Sequence, residues 1–184
     1  MGKVVIGMSM SLDGYINDRT GSVAALYPDF ETLASTESLR DSMLTTGAVV
    51  MGKRTFAMGN PDSYADSYEY QVPIFVVTHH PPAKHPRETD RLKFSFVQTG
   101  LESAIAQAKA AAGEKDVTVV GGATVFQDCL RLKLADEMHI DILPVLLGAG
   151  LRLFDSFEEA PILLDKIKVL ETPVRTSLQF RVRK

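Results

Sequence analysis

The chain has 184 residues, of which 45% are hydrophobic and 23% charged, and its formal net charge is −3. This length and balance suit a single folded domain spanning 1–184 and exclude a disordered chain. A mildly acidic protein has no overall attraction for nucleic acid or for an anionic membrane surface, so we predict a small-molecule partner.

The chain contains one cysteine, Cys129, which excludes an internal disulfide and favours a reducing, cytoplasmic compartment. Cys129 lies on the apolar side of a predicted helix, which indicates core packing rather than a nucleophile. Polar residues interrupt the N-terminal apolar run too early for a signal peptide, and no apolar run approaches the ~20 residues that span a bilayer. We therefore expect a cytoplasmic protein that has no membrane segment.

Short apolar runs typical of strands alternate with helical patterns along the chain. The predicted strands are 4–10, 48–51, 74–77, 94–97, 117–120 and 138–143, followed by a hairpin of 166–170 and 177–182 with period-two alternation. The predicted helices are 28–44, a short one from 55, one from a capping box at 99–102 to Gly113, and one ending near Arg131. This order predicts an α/β fold with a mixed, mostly parallel sheet, helices on both faces and a ligand at the carboxyl ends of the strands.

Two strand-to-helix junctions carry residues that suit phosphate. They are Gly52, Lys53, Arg54 and Thr55 after the second strand, and Gly121, Gly122, Ala123 and Thr124 after the fifth. Free amides at a helix start attract phosphate, and glycine allows the backbone to approach it closely. Two such junctions in one sheet suit the two ends of a dinucleotide. The alternative is that the glycines only end strands and that the basic side chains lie on the surface.

His79 and His80 follow the strand 74–77, and His85 is nearby. Carboxylate or cysteine companions at ligand spacing are absent, and two prolines stiffen the loop, so we predict no metal site. A place beside an adenosine ribose or its phosphate is the preferred interpretation, because the pair directly follows a strand end.

Five segments resemble, in this order, motifs of the dihydrofolate-reductase superfamily: MSMSLDGYIND, VVMGKRTF, IFVVTHH, VTVVGGATVFQ and LPVLLGAGLRLF. They are most similar to the branch that includes the reductase domain of the bifunctional riboflavin-biosynthesis deaminase-reductase. Each motif is weak alone, but five in sequence order are specific, and the similarity covers nearly the whole chain. The resemblance implies a three-layer α/β/α fold and a reductase that uses NADPH.

The resemblance also implies where NADPH would bind. Residues 52–55 would hold the pyrophosphate and the 2′-phosphate side, 78–80 would lie by the adenosine, and 121–125 would pass beneath the pyrophosphate and the nicotinamide ribose, with a cis Gly121–Gly122 bond. Two apolar side chains would flank the nicotinamide, and the loop 12–21 would be a mobile lid. The implied cofactor residues are Met8, Ile16, Gly52, Lys53, Arg54, Thr55, Thr78, His79, His80, Gly121, Gly122, Ala123, Thr124 and Val125.

The catalytic acid is not fixed by the resemblance. Dihydrofolate reductases carry an acidic residue on the first helix, and the matching position falls near Thr36, with Glu37 about 100° away around a helix. The chain also has no tryptophan and so lacks the usual lid residue, which argues against folate reduction. Asp13 is a motif residue of the riboflavin-type branch and a candidate substrate contact; the alternative is an Asp-Gly turn. The candidate proton donors are Asp13, Glu37 and an ordered water.

The predicted reaction is hydride transfer from NADPH to a C=N or C=O bond of a small heterocyclic or ribosylamino-pyrimidine substrate. Three alternatives stay open: an NADP(H)-binding sensor without turnover, a true dihydrofolate reductase, and an interaction scaffold that binds no NADPH. A homodimer is a further hypothesis, because the C-terminal hairpin offers a sheet edge for pairing.

Overall fold

A computed structural model describes residues 2–155 and 161–184 of the chain. In this described part eight strands form one sheet: β1 (Val4–Ser11), β2 (Thr46–Gly52), β3 (Ile74–Val77), β4 (Phe94–Val97), β5 (Asp116–Val119), β6 (Glu137–Leu143), β7 (Leu164–Glu171) and β8 (Thr176–Val182). The helices of the same residues are α1 (Phe30–Leu33), α2 (Glu37–Thr45), α3 (Lys53–Phe56), α4 (Tyr64–Ser67), α5 (Leu101–Ala112) and α6 (Ala123–Arg131), with 3₁₀ turns at Ala24–Leu26 and Pro61–Ser63.

The strands follow the order β4-β3-β2-β5-β1-β6-β8-β7 across the sheet. The first six are parallel, and β8 and β7 form an antiparallel hairpin beside β6. The predicted mixed, mostly parallel sheet is therefore confirmed. Because parallel strands all end on the same edge, the loops that follow β1, β2, β3, β5 and β6 lie side by side there.

Helices cover both faces of the sheet, as predicted. On one face α5 and α6 contribute Ile105, Phe126 and Cys129 to a core that includes strand residues such as Val50. On the other face Phe56, Tyr64 and Tyr70 pack over the outer strands β2, β3 and β4. Burial on both faces explains why these strands appear in the sequence as continuous apolar runs. Cys129 is fully buried, and burial raises the pKa of its thiol to about 12, which confirms the core-packing interpretation.

Two predictions about helix starts are wrong. The single helix predicted over 28–44 is two helices, because Thr36 adopts an extended conformation (φ −68°, ψ 147°) and its hydroxyl caps α2 by accepting from the Leu39 amide at 3.3 Å. The predicted capping box before α5 does not form. Gly100 is the N-cap there, and the Thr99 hydroxyl instead donates to the Ser103 hydroxyl at 2.8 Å.

The strand β7 lies at one edge of the sheet and exposes Leu164, Ile167 and Val169. Pairing of two copies at this edge stays a prediction. Among the described residues, none of the helices combines the length and the apolar character that crossing a bilayer requires.

Candidate active site

The two predicted phosphate junctions lie in direct contact. The strands β2 and β5 are neighbours, and the Gly52 amide donates to the Gly121 carbonyl at 2.9 Å. The Thr55 hydroxyl oxygen lies 3.3 Å from the position that a Cβ on Gly121 would take and 3.5 Å from that of Gly122. Gly52, Thr55, Gly121 and Gly122 thus form one continuous surface, which we call the glycine cradle.

The close approach within the glycine cradle depends on the absence of side chains. A Cβ on Gly52 would lie 3.2 Å from Val125 Cγ2. Gly121 has φ +115°, and a Cβ there would lie 3.0 Å from Met8 Cε. Because other residues rarely adopt such a φ, this position requires glycine. The Gly121–Gly122 bond is cis, as the resemblance implied.

The helix α6 begins at the glycine cradle. Its first intrahelical bond runs from the Phe126 amide to the Gly122 carbonyl at 3.0 Å. The amides before Phe126 in this first turn, including those of Ala123, Thr124 and Val125, therefore lack acceptors within the helix. They lie at the positive end of the α6 dipole, where an anion is stabilised.

The remaining predicted cofactor residues line the same edge of the sheet. Lys53 and Arg54 are exposed in the first turn after β2. Thr78 follows β3 and is 6% exposed; its hydroxyl donates to the His80 carbonyl and accepts from the His80 amide, so it shapes the turn that presents His79 and His80. The strands β3, β2, β5 and β1 are neighbours in this order. The predicted cofactor residues therefore lie side by side along one edge of the sheet.

The loop after β1 is bound to the loop after β6. The Ile16 amide donates to the Leu151 carbonyl at 2.9 Å, and the Leu153 amide donates to the Gly14 carbonyl at 3.0 Å. Arg152 lies over the Tyr15 ring, with its Cζ 4.7 Å from the ring centroid. Any opening of residues 12–17 must break these bonds, and lid mobility stays a prediction.

Asp13 is part of this loop connection. Its carboxylate accepts from the Ser11 hydroxyl at 2.6 Å and from the Gly148 and Leu147 amides at 2.8 and 3.1 Å. The Ser11 hydroxyl, followed by the two amides, lowers the pKa of Asp13 to about 2. Asp13 therefore has no proton to donate at neutral pH. The Asp-Gly turn that we considered is also present, because the Gly14 amide donates to the Ser11 carbonyl at 2.9 Å.

Glu37 lies at the start of α2 with its side chain 59% exposed. Its carboxylate accepts from Lys168 Nζ at 2.6 Å, and this bond lowers the pKa of Glu37. Lys168 belongs to the edge strand β7. Two strands, β6 and β8, lie between β1 and β7, so at a usual strand spacing of about 4.8 Å the two strands are about 14 Å apart. Glu37 and Asp13 thus bind different elements, and their catalytic assignments stay predictions.

A buried ionic cluster beside β1 was not predicted from the sequence. Arg175 donates through Nε to Asp29 Oδ2 at 2.9 Å, through Nη2 to Asp29 Oδ1, and through Nη1 to Asp141 Oδ2 at 2.9 Å. Asp141 also accepts from the Ser177 hydroxyl, and Ser9 Oγ lies 3.4 Å from Arg175 Nη1. We call these five residues the Arg175 network. Its one sequence signal is an acidic residue, Asp141, between two isoleucines in a strand.

The Arg175 side chain is only 2% exposed, and that of Asp29 is 5% exposed. Burial alone would lower the pKa of Arg175, but its hydrogen bonds with Asp29 and Asp141 outweigh burial and raise that pKa. The guanidinium therefore stays charged inside the protein. In residues 2–155 and 161–184 no group of three or more histidine, cysteine or acidic side chains is arranged to hold a metal ion.

The sheet order and the glycine cradle define a protein of the dihydrofolate-reductase-like fold. Residues 2–174 match the model of the RibD C-terminal domain, and the chain belongs to that family. A curated relative, the Bacillus subtilis (strain 168) protein YwjB, is 27% identical over 152 residues, which cover 83% of this chain and 82% of YwjB.

Solved structures confirm the fold. A putative riboflavin biosynthesis protein from Shewanella sp. PV-4 superposes with a TM-score of 0.78 at 24% identity, covering 99% of both chains. A Thermotoga maritima diaminohydroxyphosphoribosylaminopyrimidine deaminase/5-amino-6-(5-phosphoribosylamino)uracil reductase gives 0.69 at 17% identity, covering 99% of this chain and 57% of that one. Dihydrofolate reductase from Enterococcus faecalis, complexed with NADP(H), gives 0.64 at 14% identity, covering 100% of this chain and 98% of that one.

Proposed function

We propose that this protein is an NADPH-dependent reductase that transfers hydride to a C=N or C=O bond of a small heterocyclic or ribosylamino-pyrimidine substrate. The observation that carries the proposal is the contact between the two glycine junctions, in which Gly52 donates to Gly121 under the Thr55 hydroxyl. Glycine backbone beside the first turn of α6, with the Thr55 hydroxyl next to it, suits a diphosphate. The reductase and the NADP(H) complex among the structural neighbours support the same function.

Different residues would bind different parts of the cofactor. The α6 amides and the Thr55 hydroxyl would bind the diphosphate. Lys53 and Arg54 would pair with the 2′-phosphate, and the turn formed by Thr78 would lie beside the adenosine. Met8 and Ile16, which both pack against the core, would flank the nicotinamide and exclude water from one side of it. When bound, the nicotinamide supplies the hydride, and the protein supplies alignment and a dry surface.

Neither of the two predicted acids is well placed to protonate the substrate. Asp13 is ionised at neutral pH, and Glu37 is exposed and bound to Lys168. Of the three candidates an ordered water fits these contacts best, and Asp13 would act through its charge. The same observation favours a second candidate function, an NADP(H)-binding sensor without turnover.

A titration and a turnover assay separate the candidates. The fluorescence of NADPH is followed as purified protein is added, and its absorbance is then followed with aminopyrimidine, pteridine and dihydrofolate substrates. Binding with reduction of an aminopyrimidine supports the proposal. Binding without any reduction supports the sensor, reduction of dihydrofolate alone supports a true dihydrofolate reductase, and absence of binding supports a scaffold. The cytoplasmic location stays a prediction from the single cysteine.

A further inference from the structure

The Arg175 network carries one carboxylate more than its cation requires. Asp29 uses both of its oxygens on Arg175, which matches the guanidinium charge with a two-bond ion pair. Asp141 then adds a second carboxylate to the same cation, so the formal charge of the network is −1. Charge taken out of water is costly unless a partner compensates it, so this excess requires either solvent or a ligand.

Asp141 is the acidic member of the network that reaches the surface. Its side chain is 26% exposed, against 5% for Asp29 and 2% for Arg175. Arg175 bonds one of its oxygens and Ser177 bonds the other. Each carboxylate oxygen can accept two hydrogen bonds, so acceptor capacity remains on both. Because its two protein partners fix the carboxylate in place, it loses little freedom when a further donor binds.

The carboxylate of Asp141 lies at the same edge of the sheet as the proposed hydride-transfer site. Asp141 pairs across the sheet with Ser9 of β1, and Ser9 directly follows Met8, which contacts the glycine cradle. Because successive side chains of a strand alternate between the two faces, Asp141 and Met8 lie on opposite faces at this edge. The strands β1 and β6 are parallel, and Asp141 lies in the last three residues of β6. This is the carboxyl edge of the sheet, where ligands of open α/β sheets bind.

We propose that Asp141 binds the substrate by accepting hydrogen bonds from the amino or amide N–H groups of a heterocycle, and that Arg175 and Ser177 position its carboxylate. The proposal rests on the proposed function and deepens it, because it names the chemistry that selects the substrate. A ring whose edge carries N–H donors is bound, and a ring of the same size that carries only acceptors is rejected.

Two probes with the same pyrimidine ring and the same substituted positions test this inference: 2,4-diaminopyrimidine, which presents amino donors, and 2,4-dimethoxypyrimidine, which presents none. Each is titrated calorimetrically into the wild-type protein, with and without saturating NADPH, and the affinity for NADPH is measured separately. We expect the wild type to bind the diamino probe at least about tenfold more tightly, the usual effect of a hydrogen bond to a charged group. We expect Asp141→Asn to remove this preference and to leave the affinity for NADPH unchanged.

The matched control is Asp165→Asn. Asp165 lies on the edge strand β7, and its carboxylate forms an exposed ion pair with Arg183. This control should keep the preference for the diamino probe.

If Asp141→Asn fails to fold, the wild-type preference is combined with a crystal structure of the wild type bound to the diamino probe. An amino nitrogen within hydrogen-bond distance of Asp141 supports the inference, and its absence overturns it.

Equal affinity of the wild type for both probes, failure of both to bind at millimolar concentration, or an unchanged preference in a folded Asp141→Asn protein also overturns the inference. Normal NADPH binding together with any of these results leaves the proposed function standing. A preference that depends on Asp141 in a protein that binds no NADPH contradicts the proposed function alone.

Discussion

The Thr55 hydroxyl oxygen lies 3.3 Å from the point where a Cβ on Gly121 would stand, so a residue of the first junction directly covers the backbone of the second. The two residues are on neighbouring strand ends, and Gly52 connects them further through its bond to the Gly121 carbonyl. The prediction for Gly121 follows from this contact, the one for Lys53 and Arg54 follows from their charge, and those for Asp13 and Arg175 follow from their own hydrogen bonds.

Replacing Gly121 by alanine should weaken NADPH binding at least about tenfold, because the new Cβ would be strained at its φ and would contact Met8 and Thr55. The measurement is a fluorescence titration of both proteins. The matched control is Gly113→Ala, at the end of α5, where φ is also positive (+64°) but no atom lies within 4 Å of the added Cβ. Equal weakening in both variants would show that backbone strain alone, and not the contact, explains the loss.

Removing the charges of Lys53 and Arg54 should reduce the preference for NADPH over NADH by about tenfold, the usual effect of losing hydrogen bonds to a charged group. NADH lacks the 2′-phosphate, so its affinity should change little in the double alanine variant. Affinities for both nucleotides are measured at low and high salt. The control is Arg91→Ala. Arg91 is an exposed arginine just before β4, at the amino ends of the parallel strands. A parallel loss for NADPH and NADH would contradict the assignment.

Asp13→Asn should loosen the connection between the loops after β1 and β6. The expected result is faster hydrogen exchange at the Leu147 and Gly148 amides, which the carboxylate accepts from. Because the pKa of Asp13 falls from 3.8 to about 2 on folding, its stabilising contribution is full above pH 3.8 and is lost as the pH falls towards 2.

The stability difference between wild type and Asp13→Asn should therefore shrink over that acid range. Asp90→Asn, at an exposed position, serves as the control. It should change neither the exchange of the two amides nor the pH dependence of the protein's stability. Identical exchange of the two amides in wild type and in Asp13→Asn would show that the carboxylate does not hold the loops together.

Arg175→Ala should lower the free energy of unfolding by about 3–5 kcal/mol, because it leaves the buried Asp29 carboxylate without its ion partner. The paired variant Arg183→Ala breaks an exposed ion pair with Asp165 and should lower the free energy of unfolding much less, because solvent screens that pair. Urea unfolding of the two variants measures both values. Similar small losses in both would show that the Arg175 network does not stabilise the fold.

Most of the sheet was predictable from the sequence because its strands are buried on both faces. The strands Ile74–Val77 and Phe94–Val97 match their apolar runs at both ends. Glycine at a strand end likewise predicted the two junctions, and the order of the strands brought them together.

The errors arose where side chains compete with the backbone or where contacts span the chain. The Thr36 hydroxyl caps α2 and thereby divides a pattern that is helical by spacing alone. Arg175 and Asp29 are 146 residues apart in the chain, so no local spacing indicates their ion pair. The positions of Asp13 and Glu37 depend on partners after β6 and on β7, which the sequence does not identify.

The most direct test of the account is an amide NMR titration of the ¹⁵N-labelled protein with NADPH. We predict shifts concentrated in residues 52–55 and 121–125, with Gly113 unchanged because it lies at the far end of α5, before β5 begins. The contradicting result is that millimolar NADPH leaves the amides of the glycine cradle unshifted, or shifts a different surface of the protein instead.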